Sequence, residues 1–576
     1  MPRVLLVYPQ FPETFWGYQR ALRYLGLRAT HPPLGLLTVA GMLPEGYELR
    51  LVDLNVRELK AEDWRWADIV LTGGMMIQRP SVEQIVEQCL AAQVPVVIGG
   101  PDVTSSSQDL PATAHFVLGE AESPKLIEAL SEMIVAKERI VLDLRDESRG
   151  ISQSPLPRYD IIEMKSYASM ALQMSRGCPF KCEFCDIPSL FGDRTRYKSV
   201  ESTLAELDLL FERGWRGGVF WVDDNFIGNK KSCKDILPAV VDWQQRHARP
   251  FQFYTQASVN LAADQELLDL MTSAGFDSVF LGIETCIEES LQETKKLQNT
   301  RFDLLESVKK IQRAGLEVMA GFIIGFDSDP EDIDRHLVRF IQDSGIPVAM
   351  TGLLTALPGS PLYDRLKVQG RLLDAAVEQE GNNTFQFNFN FKTVQDAGSL
   401  IKAYKNVLLE VYGKPENYFR RVTELYRNLG RQLASRAPLS LRRLRACLRS
   451  FLMIPTSKYG WSYGKFLLRT LLRYPSRFQD AVRRGIVGLH FHQLTRERLA
   501  IQEFHSFVNL GVERVREAYA QGRQEGVKLA AQILADGRKR LRKLPGTVRD
   551  EMRTLYEELE LTLTNLAVAR LPVGAE

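Results

Sequence analysis

Three cysteines, Cys178, Cys182 and Cys185, stand four and three residues apart in the stretch Ser175-Arg-Gly-Cys-Pro-Phe-Lys-Cys-Glu-Phe-Cys-Asp186. At that spacing their thiols can converge on one point in a short loop. Thiolates are the preferred ligands of iron in iron-sulfur clusters, and a cubane has four irons, so three cysteines leave one iron open to another ligand. A structural zinc site would close its tetrahedron with a nearby fourth Cys or His. The next candidates downstream, Cys233 and His247, are too distant in sequence to form a ribbon or knuckle.

The surrounding chain has a strand-helix rhythm in two rounds. In the first, residues 3–8, 48–54, 69–73, 94–99 and 115–118 read as buried strands and 81–93 as a helix, which predicts a doubly wound parallel sheet. Ligands of such sheets bind beyond the carboxyl ends of the strands. Those ends carry Pro9, Asp53, Thr72-Gly73-Gly74-Met75-Met76, Gly99-Gly100 and Gly119-Glu120-Ala121-Glu122. The first strand is followed by neither Gly-x-Gly-x-x-Gly nor a Walker lysine, so a phosphate cradle is not expected.

Residues 136–165 include a strand-like 139–144 and Ser154-Pro-Leu-Pro-Arg-Tyr159, and read as a linker. From Met170 the rhythm resumes, with the cysteine loop directly after the first strand, where the catalytic groups of α/β barrels sit. Strands are expected at 218–222, 251–254, 278–281, 318–324 and 349–355, each ending in polar residues or glycine. Six strands predict an open, partial (β/α) barrel over 166–370. After it, the aromatic and amide-rich 381–391 alternates like a strand and is expected to pack structurally, under the barrel or across its mouth. Amphipathic stretches at 394–412, 416–429 and 512–534 make 371–576 mainly helical.

The chain has 576 residues, 45% hydrophobic and 25% charged, enough for two to four domains. Its seven cysteines lack the even spread of a disulfide framework. Met1-Pro-Arg-Val-Leu-Leu-Val-Tyr8 enters a strand without a signal-peptide layout, so the cytoplasm is the expected compartment. No apolar run reaches the length of a membrane-spanning helix. Net charge is only +2, but residues 420–543 hold 27 Lys and Arg against 8 Asp and Glu. These read as solvated helix faces, with an anionic substrate, a membrane surface or a docking partner as the functional alternatives. Nucleic-acid binding is not expected, because no zinc knuckle, KH-type loop or RNP-like strand accompanies the charge. Cys89, Cys233, Cys286 and Cys447 read as buried helix or loop thiols.

The cysteine stretch, with Phe184 in the aromatic slot, resembles the Cys-x-x-x-Cys-x-aromatic-Cys signature of radical S-adenosylmethionine (radical SAM) enzymes. The resemblance implies a 4Fe-4S cluster on Cys178, Cys182 and Cys185. It further implies SAM chelated to the open iron and split reductively to methionine and a 5'-deoxyadenosyl radical. Asp223, Asp224 and Asn225 stand where the family meets the SAM amino group; Gln256 and Ser258 fall where ribose and carboxylate contacts are expected. Glu284 sits in a Gly-Ile-Glu position, and Gly321, Ile323 and Gly325 match a segment beside adenine. An electron donor such as flavodoxin or ferredoxin is implied as a partner.

The first 135 residues resemble the cobalamin-binding domain that precedes many radical SAM cores, on His31-Pro-Pro-Leu34-Gly35-Leu36, Leu51-Val-Asp53, Gly73-Gly74 and Gly99-Gly100. The cobalamin contacts implied are Pro9, Leu34, Gly35, Asp53, Thr72, Gly73, Gly74, Met75, Met76, Gly99, Gly100, Gly119 and Glu120. No histidine lies in the Asp-x-His-x-x-Gly context that supplies a lower axial ligand, so a bound cobalt is expected to lack one. His31 reads as a turn or packing residue. The region after 370 resembles the C-terminal extension of a subgroup that includes hopanoid and bacteriochlorophyll methylases. The resemblance implies methylation of an unactivated carbon of a hydrophobic or anionic small molecule. A cobalamin-linked oxidation, cyclisation or rearrangement is the alternative, and a non-catalytic redox sensor or assembly partner the third reading. Peripheral association with a membrane through the basic C-terminal region completes the expectations.

Overall fold

The computed structural model describes residues 1–107, 110–111, 113–147, 150–373, 387–429, 449–451, 454 and 458–568. They divide into two units, Met1–His490 and Phe491–Glu576.

The first unit opens with a parallel sheet: β1 (Arg3–Tyr8), β2 (Glu48–Asp53), β3 (Ile69–Gly73), β4 (Val96–Gly99), β5 (His115–Leu118) and β6 (Val141–Asp143). Their order is β2-β1-β3-β4-β5-β6. The central strands are almost unbroken aliphatic runs because helices cover both faces. Leu5, Val7, Val70 and Ile98 pack one side, and Val4, Leu6, Leu71 and Val97 the other. The strand-like stretch assigned to the linker thus supplies the sixth strand, β6, paired in parallel with β5.

A second parallel sheet follows: β7 (Ser169–Leu172), then β10 (Gly217–Trp221), β11 (Phe251–Ala257), β12 (Phe276–Glu284), β13 (Glu317–Ile324) and β14 (Ala349–Leu353), arranged in sequence order. Between β7 and β10 a small antiparallel pair, β8 (Ser175–Arg176) and β9 (Arg196–Tyr197), brackets the cysteine loop. This is the curled six-stranded half-barrel expected from the repeated rhythm.

Burial alternates along β11. Phe251, Phe253, Thr255 and Ala257 are buried, while Gln252, Tyr254 and Gln256 are only partly so. On the buried side Trp221 packs its ring 5.4–5.6 Å from those of Phe226, Phe253 and Phe276. Such pairs contribute about 0.5–1.5 kcal/mol each beyond area burial. The other side faces the barrel interior, where Phe220 stacks on Tyr254 at 4.8 Å and the register sets Gly282 beside Gly321.

The free edge of β7 is occupied by the N-terminal chain: Arg28 N and Ser169 N donate to Ser166 O and Thr30 O, and Ala29 bridges Tyr167. His31 enters the interior there, its ring 5.2 Å from Phe220 and hydrogen-bonded to Tyr254 OH. Burial drives its pKa down to about 4, which keeps it neutral. It is a packing residue, as read from its two following prolines.

Beyond the barrel the described residues are mainly helical. Residues 381–386 lie outside the described set. The described part of the aromatic stretch sits over strand ends: Phe389 abuts Gly325, and the Asn390 amide exchanges hydrogen bonds with Ala356 N and O at 3.0 and 2.8 Å. Helices Pro415–Leu429 and Lys458–Arg473 complete the first unit's pattern, and Phe478–Gln521 carries the chain into the second. The stretch expected as one helix over 512–534 is interrupted at Gly522, which is extended (φ 177°), and Arg523–Lys543 begins anew. After proline, glycine is the residue that most resists helix. In the second unit Phe504, Val508, Ile533, Met552 and Leu559 form a core shared with helix Gly546–Val568.

Candidate functional site

The cysteine loop leaves β7 at the carboxyl end of the half-barrel. Its path is held by backbone bonds: Glu183 N donates to Thr294 O at 2.9 Å, Leu362 N to Glu183 O at 2.8 Å, and Cys185 N to Cys182 O at 3.2 Å. Arg365 grips the Glu183 carboxylate with Nε at 2.7 Å and Nη2 at 2.9 Å, a bidentate fork that sequence spacing did not reveal. Two amides point at sulfur: Asn225 Nδ2 lies 3.8 Å from Cys178 Sγ and Gln298 Nε2 3.5 Å from Cys182 Sγ. Lys296 adds a buried cation whose field falls on Cys182 and Cys185. Burial, with Cys182 beside both and Asp186 beside Cys185, pushes the Cys178 and Cys185 thiols up, so the donors and the cation supply what a thiolate needs.

Among the described residues no three His, Cys, Asp or Glu side chains converge closely enough to hold one metal ion. A zinc ion would need its thiolates about 2.3 Å from a single point, whereas a cubane spreads them over separate irons. Three thiols with amide donors and a cation beside them fit a cluster that keeps one iron open.

The strand ends around the loop carry the residues expected to meet SAM. After β10, Asp223 Oδ1 accepts from Ser175 N and Asp224 Oδ2 from Gly177 N at 2.8 Å, so both carboxylates brace the loop. Asp223 Oδ2 and Asn225 Oδ1 are buried without a partner among the described residues. Two orphaned acceptors of this kind suit an incoming ammonium. Ser258 Oγ accepts from Asn225 Nδ2 at 3.3 Å and donates to Asn260 Oδ1 at 2.7 Å; Gln256 lies on the same interior row as Tyr254, and its carbonyl accepts from Phe226 N.

Burial pushes Asp223 up to about 7 and Asp224 up to about 6. A carboxyl with a raised folded pKa holds its proton longer in the folded state. Its neutral form costs nothing below the unfolded value near 4, and stability is lost as pH rises from about 4 to about 7. Asp223→Asn is expected to flatten that slope and to stabilise the ligand-free protein near pH 8 by roughly 2–4 kcal/mol. Denaturation midpoints at about pH 5 and about pH 8 would check it, and an unchanged difference between them would refute it.

At the end of β12 the ladder to β13 shifts register between Gly282 and Glu284, and Glu284 adopts φ 64°. A bulge re-aims a side chain, and the left-handed region is strained for a residue with a Cβ. The strain is compensated by an ion pair with Lys296 Nζ at 2.8 Å. A Cβ on Gly282 would lie 2.7 Å from that Nζ, and one on Gly321 3.3 Å from the Phe280 ring, so both glycines make room over the interior. Lys296 also stands 5.6 Å from the centre of the Phe184 ring, and Phe184 packs 6.0 Å from Phe326. Ile323 is buried, and Gly325 (φ 118°) has its N–H accepted by Asp329 Oδ2 at 2.8 Å. Lys296, Gln298, Asn299 and Asp329 were not among the expected site residues. Lys296 and Asp329 lie on loops after the strands and Gln298 and Asn299 in the short helix Leu297–Thr300, at no fixed spacing from a strand end.

The expected cobalamin contacts separate into two groups. Pro9, Asp53 and Thr72 are tied into the sheet: Pro9 O accepts from Gln78 Nε2 at 2.8 Å, Asp53 accepts from Asn55 and from Tyr167 OH at 3.0 Å, and Thr72 Oγ1 donates to Val7 O. Gly73 is required for close approach of strands, since a Cβ would meet Gly99 O at 2.2 Å. Gly74, Met75, Met76, Gly100 (φ 95°) and Gly119 (φ 87°) line the strand ends, with Met75 exposed; Leu34 and the exposed Gly35 begin helix Leu34–Met42. Glu120 leaves the sheet for the cluster loop, where its carboxylate pairs with Arg176 at 2.9 Å and with Arg196. Glu122 pairs with Arg176 at 2.8 Å. One guanidinium thus links the last helix-bearing strand end of the first sheet to the residue two before Cys178.

The sequence matches the radical SAM superfamily over residues 172–361, the B12-binding domain over 26–127 and a domain of unknown function over 360–503. The cluster and SAM come with the first of these domains, cobalamin with the second. The chain is 44% identical over 432 residues to an uncharacterized methyltransferase of Synechocystis sp., covering 74% of this chain and 79% of the relative. It is 34% identical over 485 residues to the hopanoid C-2 methylase of Rhodopseudomonas palustris, covering 82% and 90%. In fold it is similar to the cobalamin-dependent radical SAM enzyme OxsB with aquacobalamin bound (TM-score 0.55, 14% identity, 89% of this chain and 81% of that one). It is similar also to the radical SAM methyltransferase TsrM of Kitasatospora setae with cobalamin and a [4Fe-4S] cluster bound (TM-score 0.51, 16% identity, 84% and 99%). With a thiol triad, a rim of orphaned acceptors and relatives that match through both cofactor domains, the chain belongs to the cobalamin-binding radical SAM enzymes.

Proposed function

We propose that the protein methylates an unactivated carbon of a hydrophobic small molecule. The observation that carries this reading is the extent of the likeness to the hopanoid C-2 methylase, 34% identity over 82% of this chain and 90% of that one. The interior face supports it. Phe220, Tyr254, Phe280, Trp16 and the neutral His31 present rings there, with Trp16 5.8 Å from Phe280, a lining suited to an apolar body.

When bound, the cluster and SAM supply hydrogen-atom abstraction and cobalamin supplies the methyl group. The protein's own groups bind, orient and exclude water. Cys178, Cys182 and Cys185 hold the cluster. Asp223 and Asn225 receive the SAM ammonium, with Asp224, Gln256, Ser258, Glu284 and the Gly321–Gly325 segment around the remainder. Residues 1–135 hold cobalamin along Gly73–Met76, Gly99–Gly100 and Gly119, residues 166–370 form the SAM domain, and residues 371–576 set substrate choice. A flavodoxin or ferredoxin supplies electrons, in the cytoplasm.

Anaerobic turnover with SAM, methylcobalamin, reductant and a candidate substrate is expected to add one methylene mass to the product and to release S-adenosylhomocysteine. A product without that gain would instead favour ring formation or oxidation. An anaerobic magnesium-protoporphyrin IX monomethyl ester cyclase of Cereibacter sphaeroides is 24% identical, over only 38% of the chain.

A further inference from the structure

Helix Lys458–Arg473, in the first unit, has two unlike faces. Tyr459, Tyr463, Phe466 and Leu467 are buried, with the Phe466 ring stacked 4.6 Å from Phe419 of helix Pro415–Leu429. On the other side Trp461, Leu468 and Leu472 recur seven and four residues apart and share one stripe, with Leu471 at its margin. They are 69%, 60%, 78% and 51% exposed. A lone exposed leucine needs no explanation, but four large apolar side chains together on one short helix mark an interaction surface.

The flank of the stripe is basic. Lys465, Arg469 and Arg473 follow it along the helix. Arg420 of the neighbouring helix joins Lys465 and Arg469 around a cavity of about 360 Å³ between the two helices. The carboxylates there are engaged, Glu416 accepting from Ser462 Oγ at 2.6 Å and Glu424 pairing with Arg427. Arg420, Lys465 and Arg469 have no ion-pair partner among the described residues.

We propose that this face docks on an anionic lipid bilayer. Trp461, Leu468, Leu471 and Leu472 enter the boundary between headgroups and acyl chains, while Lys465, Arg469, Arg473 and Arg420 meet headgroup phosphates. An apolar stripe bordered by uncompensated cations is complementary to a surface that is apolar beneath an anionic layer. A second copy of the chain would oppose like charges across the same face. No helix among the described residues is long and apolar enough to cross a membrane, so the contact is from one side. The inference stands independently of the methylation reading. It places the protein at the phase in which an apolar substrate is most concentrated.

The test uses the full chain, purified anaerobically and sedimented with vesicles of phosphatidylcholine alone or with about 30% phosphatidylglycerol. Binding to the anionic vesicles is expected to be at least ~tenfold the stronger, and to weaken as salt is raised. Leu468→Ser/Leu472→Ser and Lys465→Glu/Arg469→Glu are each expected to reduce partitioning at least ~tenfold. The helical signal and sedimentation coefficient should not change, because the substituted side chains are largely solvent-facing. Equal binding to both vesicle types, or variants that partition like the unaltered chain, would overturn the proposal. So would a dimer that dissociates only in the serine variant, which would assign the face to a second copy. Formation of 5'-deoxyadenosine, measured in parallel, is expected to stay unchanged in these variants, so docking and cofactor chemistry succeed or fail separately.

Discussion

Cys182→Ala is expected to abolish the iron-sulfur centre and, with it, all cleavage of SAM. Cys182 is one of the three thiols proposed to hold the cluster and receives the Gln298 amide; with only two thiolates left, a cubane would have two irons without protein ligands. Iron in the anaerobically reconstituted protein should fall from about four per chain to below about one. Formation of 5'-deoxyadenosine should fall to the level of a reaction without enzyme. Cys233→Ala serves as the contrast. Cys233 is buried on helix Lys230–Arg246 with its Sγ 2.8 Å from Phe226 O, remote from any ligand role, and its loss should leave iron content unchanged. Iron retained at four per chain in Cys182→Ala would remove Cys182 from the ligand set.

Lys296→Ala is expected to destabilise the fold by about 3–5 kcal/mol, the range found when one partner of a buried ion pair is removed. The Glu284 carboxylate would be left without its cation on a backbone already held at φ 64°. Replacing both partners, as Lys296→Met/Glu284→Gln, should recover most of that loss, since paired desolvation is then avoided together with the lost attraction. Chemical denaturation of the single and double variants gives the coupling directly. A single variant as stable as the unaltered protein would show that the pair has no structural weight. Lys296 also faces the sulfurs, so the single variant should reconstitute iron less completely even where it folds.

The order and the type of the strands were readable because aliphatic runs and their glycine or polar ends are local properties. Val4–Val7 and Val96–Ile98 are apolar throughout, and such strands are buried on both faces wherever they pair. Hence the doubly wound sheet and the half-barrel could be expected from periodicity, and the cysteine triad from its spacing. Val141–Asp143 was a weaker case. Three residues with one half-buried side chain carry no period, and only the free edge of β5 draws them into the sheet. The 512–534 segment failed for a related reason, because amphipathic spacing continues across Gly522 while the backbone does not.

Within the site, the residues on strand ends were accessible and those on the following loops were not. Asp223, Asn225, Ser258 and Glu284 follow their strands at once, so their place at the rim follows from where each strand stops. Lys296 caps and Gln298 sits within a single-turn helix, Leu297–Thr300, beyond helix Glu288–Glu293, whose place no local pattern dictates, and Arg365 is 182 residues from the carboxylate it holds. Spacing along the chain carries information only where the backbone geometry is regular.

Two assignments depended on three dimensions alone. Asp53 and Thr72 sit at strand ends like Gly74 and Gly119, yet their side chains turn inward to Tyr167 OH and Val7 O. Glu120, at the same kind of position, reaches Arg176 and Arg196 beside the cysteines. Local chemistry thus dictated the two sheets and the class of cofactor, because each rests on spacing or period within a few residues. Which carboxylates face a ligand, which cation answers Glu284 and how the first sheet reaches the cluster loop were settled by packing, because side-chain direction and burial arise only when distant segments meet.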